Sequence, residues 1–128
     1  MPLYNLACTE PLTGEQKQKL AQAITNTHCS ETGAPAAFVN VVFVNNYALP
    51  KPQVVSVLGG VRTGGNRALE GIKKLETALH NNLAKALGVS TSAVGMSLIG
   101  VPSNWIVEGG VVMPEPGSKE EQQMNDAH

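Results

Sequence analysis

Five residues in this chain are of types that support acid–base chemistry on a small anion: Pro2, His28, Arg62, Arg67 and Glu108. Pro2 follows the initiator Met1, and Met is readily removed before a residue as small as proline. An internal proline nitrogen is an amide without basicity, whereas a terminal one is a secondary amine that takes and gives a proton. Free α-amino groups titrate at about 7.7–8.0. An apolar pocket lowers that value by disfavouring the cation, which gives a general base near neutral pH. The plain alternative is a start that signals only Met removal. A chain that keeps Met1 has an amide at Pro2 and no base there.

The two arginines, Arg62 and Arg67, both lie in Gly59-Gly60-Val61-Arg62-Thr63-Gly64-Gly65-Asn66-Arg67. Their positions read as the end of a strand and the first turn of the next helix. Glycines and helix N-terminal N–H groups favour an anion at such a place, and a guanidinium adds two parallel donors that match a carboxylate. A cation at a helix N-terminus opposes the helix dipole, so an anion between them is one explanation and two solvated surface arginines are the other. The glycines fit neither a P-loop nor a dinucleotide fingerprint. His28 reads as a donor to a substrate oxygen or as a satisfied core histidine. Glu108, between Ile106-Val107 and Gly109-Gly110, sits in an apolar setting of the kind that raises a carboxyl pKa, or is a plain turn residue. Cys8 and Cys29 have no metal-ligand spacing; free buried thiols and a disulfide both fit them.

These residues have to be held by a frame, and the pattern supplies one. Pro2 to Cys8 alternates as a strand, which anchors the N-terminal amine inside the fold. Thr13 and Gln16 have capping-box spacing, opening a helix to about Ser30 with Leu20, Ile24, Thr27 and His28 on one side. Gly33-Ala34-Pro35 stops it. Phe38–Val44 is β-branched and apolar enough to read as a strand buried on both faces. The plan then repeats: a strand over Val54–Val61, and a turn at Thr63-Gly64-Gly65-Asn66. A helix to about Leu87 follows, with Leu69, Ile72, Leu75, Leu79, Leu83 and Leu87 at helical spacing and Gly88 as C-cap; a strand over Val94–Val101 closes the plan. The offset is about 55 residues. Tandem β-α-β units over residues 2–52 and 53–117 predict an α/β fold with a four-stranded, mainly parallel or mixed sheet and two helices on one face. The opposite sheet face has no helix to cover it, which points to an oligomer. Trp105–Val107 and Val111–Met113 read as a short hairpin around Gly109-Gly110. Residues 118–128 read as a loose polar tail.

The chain of 128 residues is 42% hydrophobic but only 4% aromatic, so one domain with a core of Val, Leu, Ile and Ala is expected. A net charge of −1 argues against nucleic acid as a partner. No apolar run is long enough to span a membrane, and no signal-peptide pattern opens the chain, so the expected location is the cytoplasm.

Taken together these residues resemble the tautomerase superfamily, most closely its cis-3-chloroacrylic acid dehalogenase-like group. The resemblance covers about residues 2–117. It is carried by Ile24-Thr25-Asn26-Thr27-His28 with Thr32-Gly33, by Leu58-Gly59-Gly60-Val61-Arg62, and by Ile106-Val107-Glu108 followed by Met113-Pro114-Glu115-Pro116-Gly117. The resemblance implies two fused β-α-β units per subunit, a homotrimer, no cofactor or metal, and a small carboxylate substrate. It implies Pro2 as general acid or base, His28 and Arg62 as carboxylate holders, and Glu108 as a group acting on water or substrate. Arg67 matches the second arginine only through a two-residue insertion. Ser97 stands where the family has a water-activating Tyr. The implied activity is therefore keto–enol tautomerisation of small 2-oxo or 2-hydroxy-enol acids. Hydration, dehalogenation or decarboxylation of three-carbon unsaturated or oxo acids is the alternative, and a non-catalytic trimeric binding protein is another if Met1 is retained.

Overall fold

The computed structural model describes residues 2–65 and 68–127 of the chain. Strand β1 (Leu3–Cys8) leads into helix α1 (Gly14–Thr32), and the chain returns as β2 (Asn40–Val44), parallel to β1. The same plan follows as β3 (Val55–Thr63), α2 (Leu69–Leu87) and β4 (Val94–Pro102), with β4 parallel to β3. The two units join where β1 pairs antiparallel with β3, giving the order β2-β1-β3-β4. The sheet is therefore mixed: parallel within each unit, antiparallel between them.

Local chemistry explains the element ends. Thr13 Oγ1 accepts from Gln16 N at 3.1 Å and Gln16 Oε1 accepts from Thr13 N at 2.9 Å, a complete capping box that satisfies two donors at the start of α1. Both long helices stop at a glycine in the left-handed region, Gly33 at φ 76° and Gly88 at φ 70°, a conformation that a side chain resists. Leu20 and Ile24 of α1, with Leu75, Leu79 and Leu83 of α2, bury against Tyr4, Leu6, Val55 and Val57 on one face of the sheet.

The other face is bare in the single chain. Leu3, Val42, Val44, Leu58 and Ile99 stand exposed on it. This corrects the expectation of a doubly buried second strand: the segment opens with a 3₁₀ turn at Ala36–Phe38, and Val39, Val41 and Phe43 pack on the core while Val42 and Val44 face outward. Its outward residues Val42 and Val44 remain 46% and 43% exposed, and among the described residues no helix lies over that face. Leu69 is also corrected: it begins the α2 stripe in sequence but is 69% exposed at the helix's first position.

After β4 the chain makes a small ribbon from β5 (Val107–Glu108) and β6 (Val111–Val112), separate from the main sheet. Gly109 and Gly110 at its tip have φ of 57° and 79°, as a two-residue turn with both central residues left-handed requires. The loose tail expected from 118 onward is instead a helix, α3 (Lys119–Asp126). Ser118 Oγ accepts from Glu121 N at 3.1 Å, the S-x-x-E start signal of a helix. Eight residues are too few to hold a helix in water alone; a tertiary anchor is the contact between Glu121 and Arg62.

Among the described residues no helix is long and apolar enough to cross a membrane.

Candidate active site

Pro2 is buried at the start of β1, and its carbonyl accepts from Asn40 N at 3.1 Å. Leu3 pairs with Gly60 across β1 and β3, and continuing that register sets Pro2 opposite Val61, one residue before Arg62. Two residues on, the same alternation turns Tyr4 into the helix-covered face. Its ring lies over Gly59, its direct cross-strand partner. A methyl group on Gly59 would come within 2.6 Å of Tyr4 Cδ1 and Cε1 and 2.7 Å of Leu98 Cδ2, so only glycine leaves room for the ring.

The Tyr4 hydroxyl is hydrogen-bonded to His28 Nδ1 at 2.7 Å, with the two rings edge-on at 5.7 Å and 76°. His28 is 1% exposed, on the α1 stripe that also holds Leu20 and Ile24. Pro2, Tyr4 and His28 are all buried, and the Tyr4–His28 bond joins β1 to α1 two residues from Pro2. Tyr4 was not among the residues singled out in the sequence. The available signal was its place in the β1 alternation, since a buried tyrosine hydroxyl needs a polar partner.

Arg62 ends β3 as expected, but it is not a solvated surface residue. It is 5% exposed, with Nη1 donating to Pro114 O at 2.8 Å and Nη2 to Glu121 Oε2 at 2.5 Å. The turn after it is pressed against the same C-terminal segment. Gly64 and Gly65 have φ of 102° and 54°, and a Cβ on either would collide with the Glu115 carboxylate or the Pro116 carbonyl. Arg67 lies outside the described residues.

Glu108 is half-buried on β5, opposite Val111. The ribbon closes where Met113 N donates to Ile106 O at 2.8 Å, and the next residue, Pro114, binds Arg62. Glu108 and Arg62 are therefore tied to one C-terminal segment, while Pro2 and His28 belong to the first unit. Ser97 is exposed on the bare face of β4, paired with Leu58. Cys8 and Cys29 are free thiols, both pushed above their ordinary pKa by burial. The Cys8 thiol points to Val44 O at 3.4 Å and Asn45 Oδ1 at 3.3 Å.

Residues 1–53, the first β-α-β unit, match the sequence profile of a family described as putative oxalocrotonate tautomerase enzyme. Solved structures extend the match across both units. A member of the cis-3-chloroacrylic acid dehalogenase (cis-CaaD) family called N1 superposes with a TM-score of 0.81 at 21% identity, covering 98% of this chain and 96% of that one. The chain has the tautomerase-superfamily fold. The native Ps01740 structure is 27% identical with a TM-score of 0.67, over 83% of this chain and 99% of its own. A fused 4-OT, solved as an asymmetric trimer, gives 0.72 at 21% identity, over 84% of this chain and 93% of that one. No curated protein matches the chain. The tautomerase-like sequence signal is thus concentrated in the unit that holds Pro2, Tyr4 and His28, while the second unit shares the tautomerase fold.

Proposed function

We propose that this protein is a cofactor-independent keto–enol tautomerase for small 2-oxo or 2-hydroxy-enol carboxylates, with Pro2 as its acid–base group once Met1 is removed. The observation that carries the reading is the burial of Pro2 at the head of β1, one register position from Arg62 and two residues from the Tyr4–His28 pair. An amine fixed there would have apolar neighbours that favour its neutral form. In the proposed reaction neutral Pro2 takes the enol hydroxyl proton, and its protonated form delivers a proton to carbon. Arg62, with Arg67 as a second candidate, holds the substrate carboxylate and the charge that develops on the conjugated oxygens. His28, oriented by Tyr4, donates to a substrate oxygen, and Glu108 orients the far end of the substrate. The bare apolar sheet face supports a homotrimer, and light scattering of the purified chain tests its mass.

The deciding experiment is ketonisation of phenylenolpyruvate and 2-hydroxymuconate, followed by ultraviolet absorbance, on protein whose intact mass shows Met1 removed. Pro2→Ala is expected to lose about 10²–10⁴-fold in kcat, the usual contribution of a positioned base. Equal rates in the two proteins overturn the assignment. No turnover in a Met-free sample turns the question to 3-haloacrylates, and a retained Met1 turns it to carboxylate binding without catalysis.

A further inference from the structure

The guanidinium proposed to receive a substrate carboxylate already holds one from the chain itself. Arg62 and Glu121 are 59 residues apart in sequence, and their side chains are only 6% and 13% exposed. A pair so far out of water persists only where further hydrogen bonds satisfy both partners. They do: Arg62 Nη1 donates to Pro114 O at 2.8 Å, and Glu121 Oε1 accepts from Gly117 N at 2.8 Å. Helix capping alone does not require this arrangement. The cap of α3 is made by the Ser118 hydroxyl on Glu121 N, and the Glu121 carboxylate reaches back out of the helix to Gly117 and Arg62.

We propose that α3 is a strap over the site and that Glu121 is a specificity-determining residue, an internal carboxylate on Arg62 that a substrate must displace. The inference rests on Arg62 being the carboxylate holder of the proposed tautomerase. Its consequence for substrate class is direct. Exchange replaces one carboxylate by another on the same guanidinium, so the first ionic contact brings little net gain. Affinity has to come from the ligand's other groups. Acids with a second anionic or enol oxygen are favoured, and simple monocarboxylates are rejected.

The test is calorimetric binding of two unreactive probes, oxalate and acetate, to the wild type, Glu121→Gln and Glu120→Gln. Glutamine serves a helix start as well as glutamate does, so Glu121→Gln keeps the start signal of α3 and removes the competing charge. A strap closed about nine times in ten makes the apparent Kd about tenfold weaker than the open site's. Glu121→Gln is therefore expected to bind both probes about tenfold more tightly, with Glu120→Gln at the wild-type value. Wild type is expected to favour oxalate over acetate. In wild type alone, oxalate is expected to speed amide hydrogen exchange across residues 119–126, a readout that needs no variant. Unchanged or weaker binding in Glu121→Gln, or no binding to any of the three proteins, overturns the strap. Turnover is not needed for these readouts. Tighter binding without ketonisation defeats the tautomerase reading alone, and ketonisation with Glu121→Gln at wild-type affinity defeats the strap alone.

Discussion

The two β-α-β units have the same skeleton and different interiors. An offset of 55 residues carries α1 (Gly14–Thr32) onto α2 (Leu69–Leu87) and Gly33 onto Gly88. The same offset carries Tyr4 onto Gly59, and those two residues are direct partners across β1 and β3. They lie on the axis that relates the units. It also carries His28 onto Leu83, both fully buried. Where the first unit has a tyrosine and a histidine, the second has a glycine and a leucine. An aromatic ring at both axial positions would collide, so one side had to become small. Glycine at 59 gives the space to the Tyr4 ring, whose hydroxyl then needs a polar partner and meets His28. Breaking the repeat at one axial pair thus gives the first unit a buried polar run, while the second keeps an aliphatic stripe along α2 and contributes Arg62 from the end of its longer strand.

The largest effects should fall where the units are alike. Ile24 and Leu79 are equivalent core positions, both 0% exposed. Ile24→Ala and Leu79→Ala should each cost about 2–5 kcal/mol, as large-to-small core changes do. Both should give a single denaturant transition, because the helices share one core. Two resolved transitions would mean that the units unfold separately.

Smaller effects should fall where the units differ. Gly59→Ala forces the Tyr4 ring or Leu98 to move within a filled core, a cost of about 1–3 kcal/mol. It should also lower ketonisation, since the displaced ring no longer holds His28. Tyr4→Phe keeps the ring and removes only the hydroxyl, at a cost of about 1–3 kcal/mol for the buried imidazole that loses this bond. If Gly59→Ala is as stable and as active as wild type, the axial asymmetry is incidental.

How much of this could be read in advance follows the range of the interactions. The capping box at Thr13 and Gln16, the glycine stops and the buried side of α1 depend on residues within a turn or two of each other, and the sequence displays them. The parallel pairing within each unit follows from the repeat and the handedness of crossovers, whereas the antiparallel join of β1 to β3 is set by contacts between the units that no local pattern displays. Tyr4–His28 was not legible because the partners are 24 residues apart and meet only through the space over Gly59. Arg62–Glu121 was hidden for the same reason, and α3 with it: a short polar helix has no apolar stripe, and it is tied down in part by a distant arginine. The outward face of β2 misled because apolar residue types alone do not tell a covered face from one left exposed in the single chain, as Val42 and Val44 are.

The helix starts offer a gentler way to sharpen the comparison. Thr13 caps α1 with its side chain, whereas Ala68 at the start of α2 makes no side-chain cap. Thr13→Ala should cost about 1 kcal/mol, and Ala68→Ser should return a similar amount to the second unit. Measured by thermal melts, opposite signs are expected; a loss in both would show that the N-terminus of α2 is already satisfied by other groups.

The smallest expected effect concerns the cysteines, which only the first unit has. Burial raises the Cys8 thiol above its ordinary value of 9.0, with Lys17 acting weakly the other way. The folded chain therefore holds the thiol proton more tightly than the unfolded chain does. The contribution to stability is whole below the unfolded value and is lost as pH rises through it and on past the folded one. Other groups titrate in the same range, so the informative quantity is the difference between wild type and Cys8→Ala. That difference should be flat from pH 6 to about 8 and should shrink above about 9, as wild type alone loses the thiol's contribution. The thiolate is the reactive form, so Cys8 in the folded protein should also alkylate with iodoacetamide more slowly at pH 8 than a free thiol. Alkylation at the rate of a free thiol would mean that β1 opens at Cys8 far more readily than its bonds to Val44 and Asn45 imply, and with it the anchoring of Pro2 at the other end of the same strand.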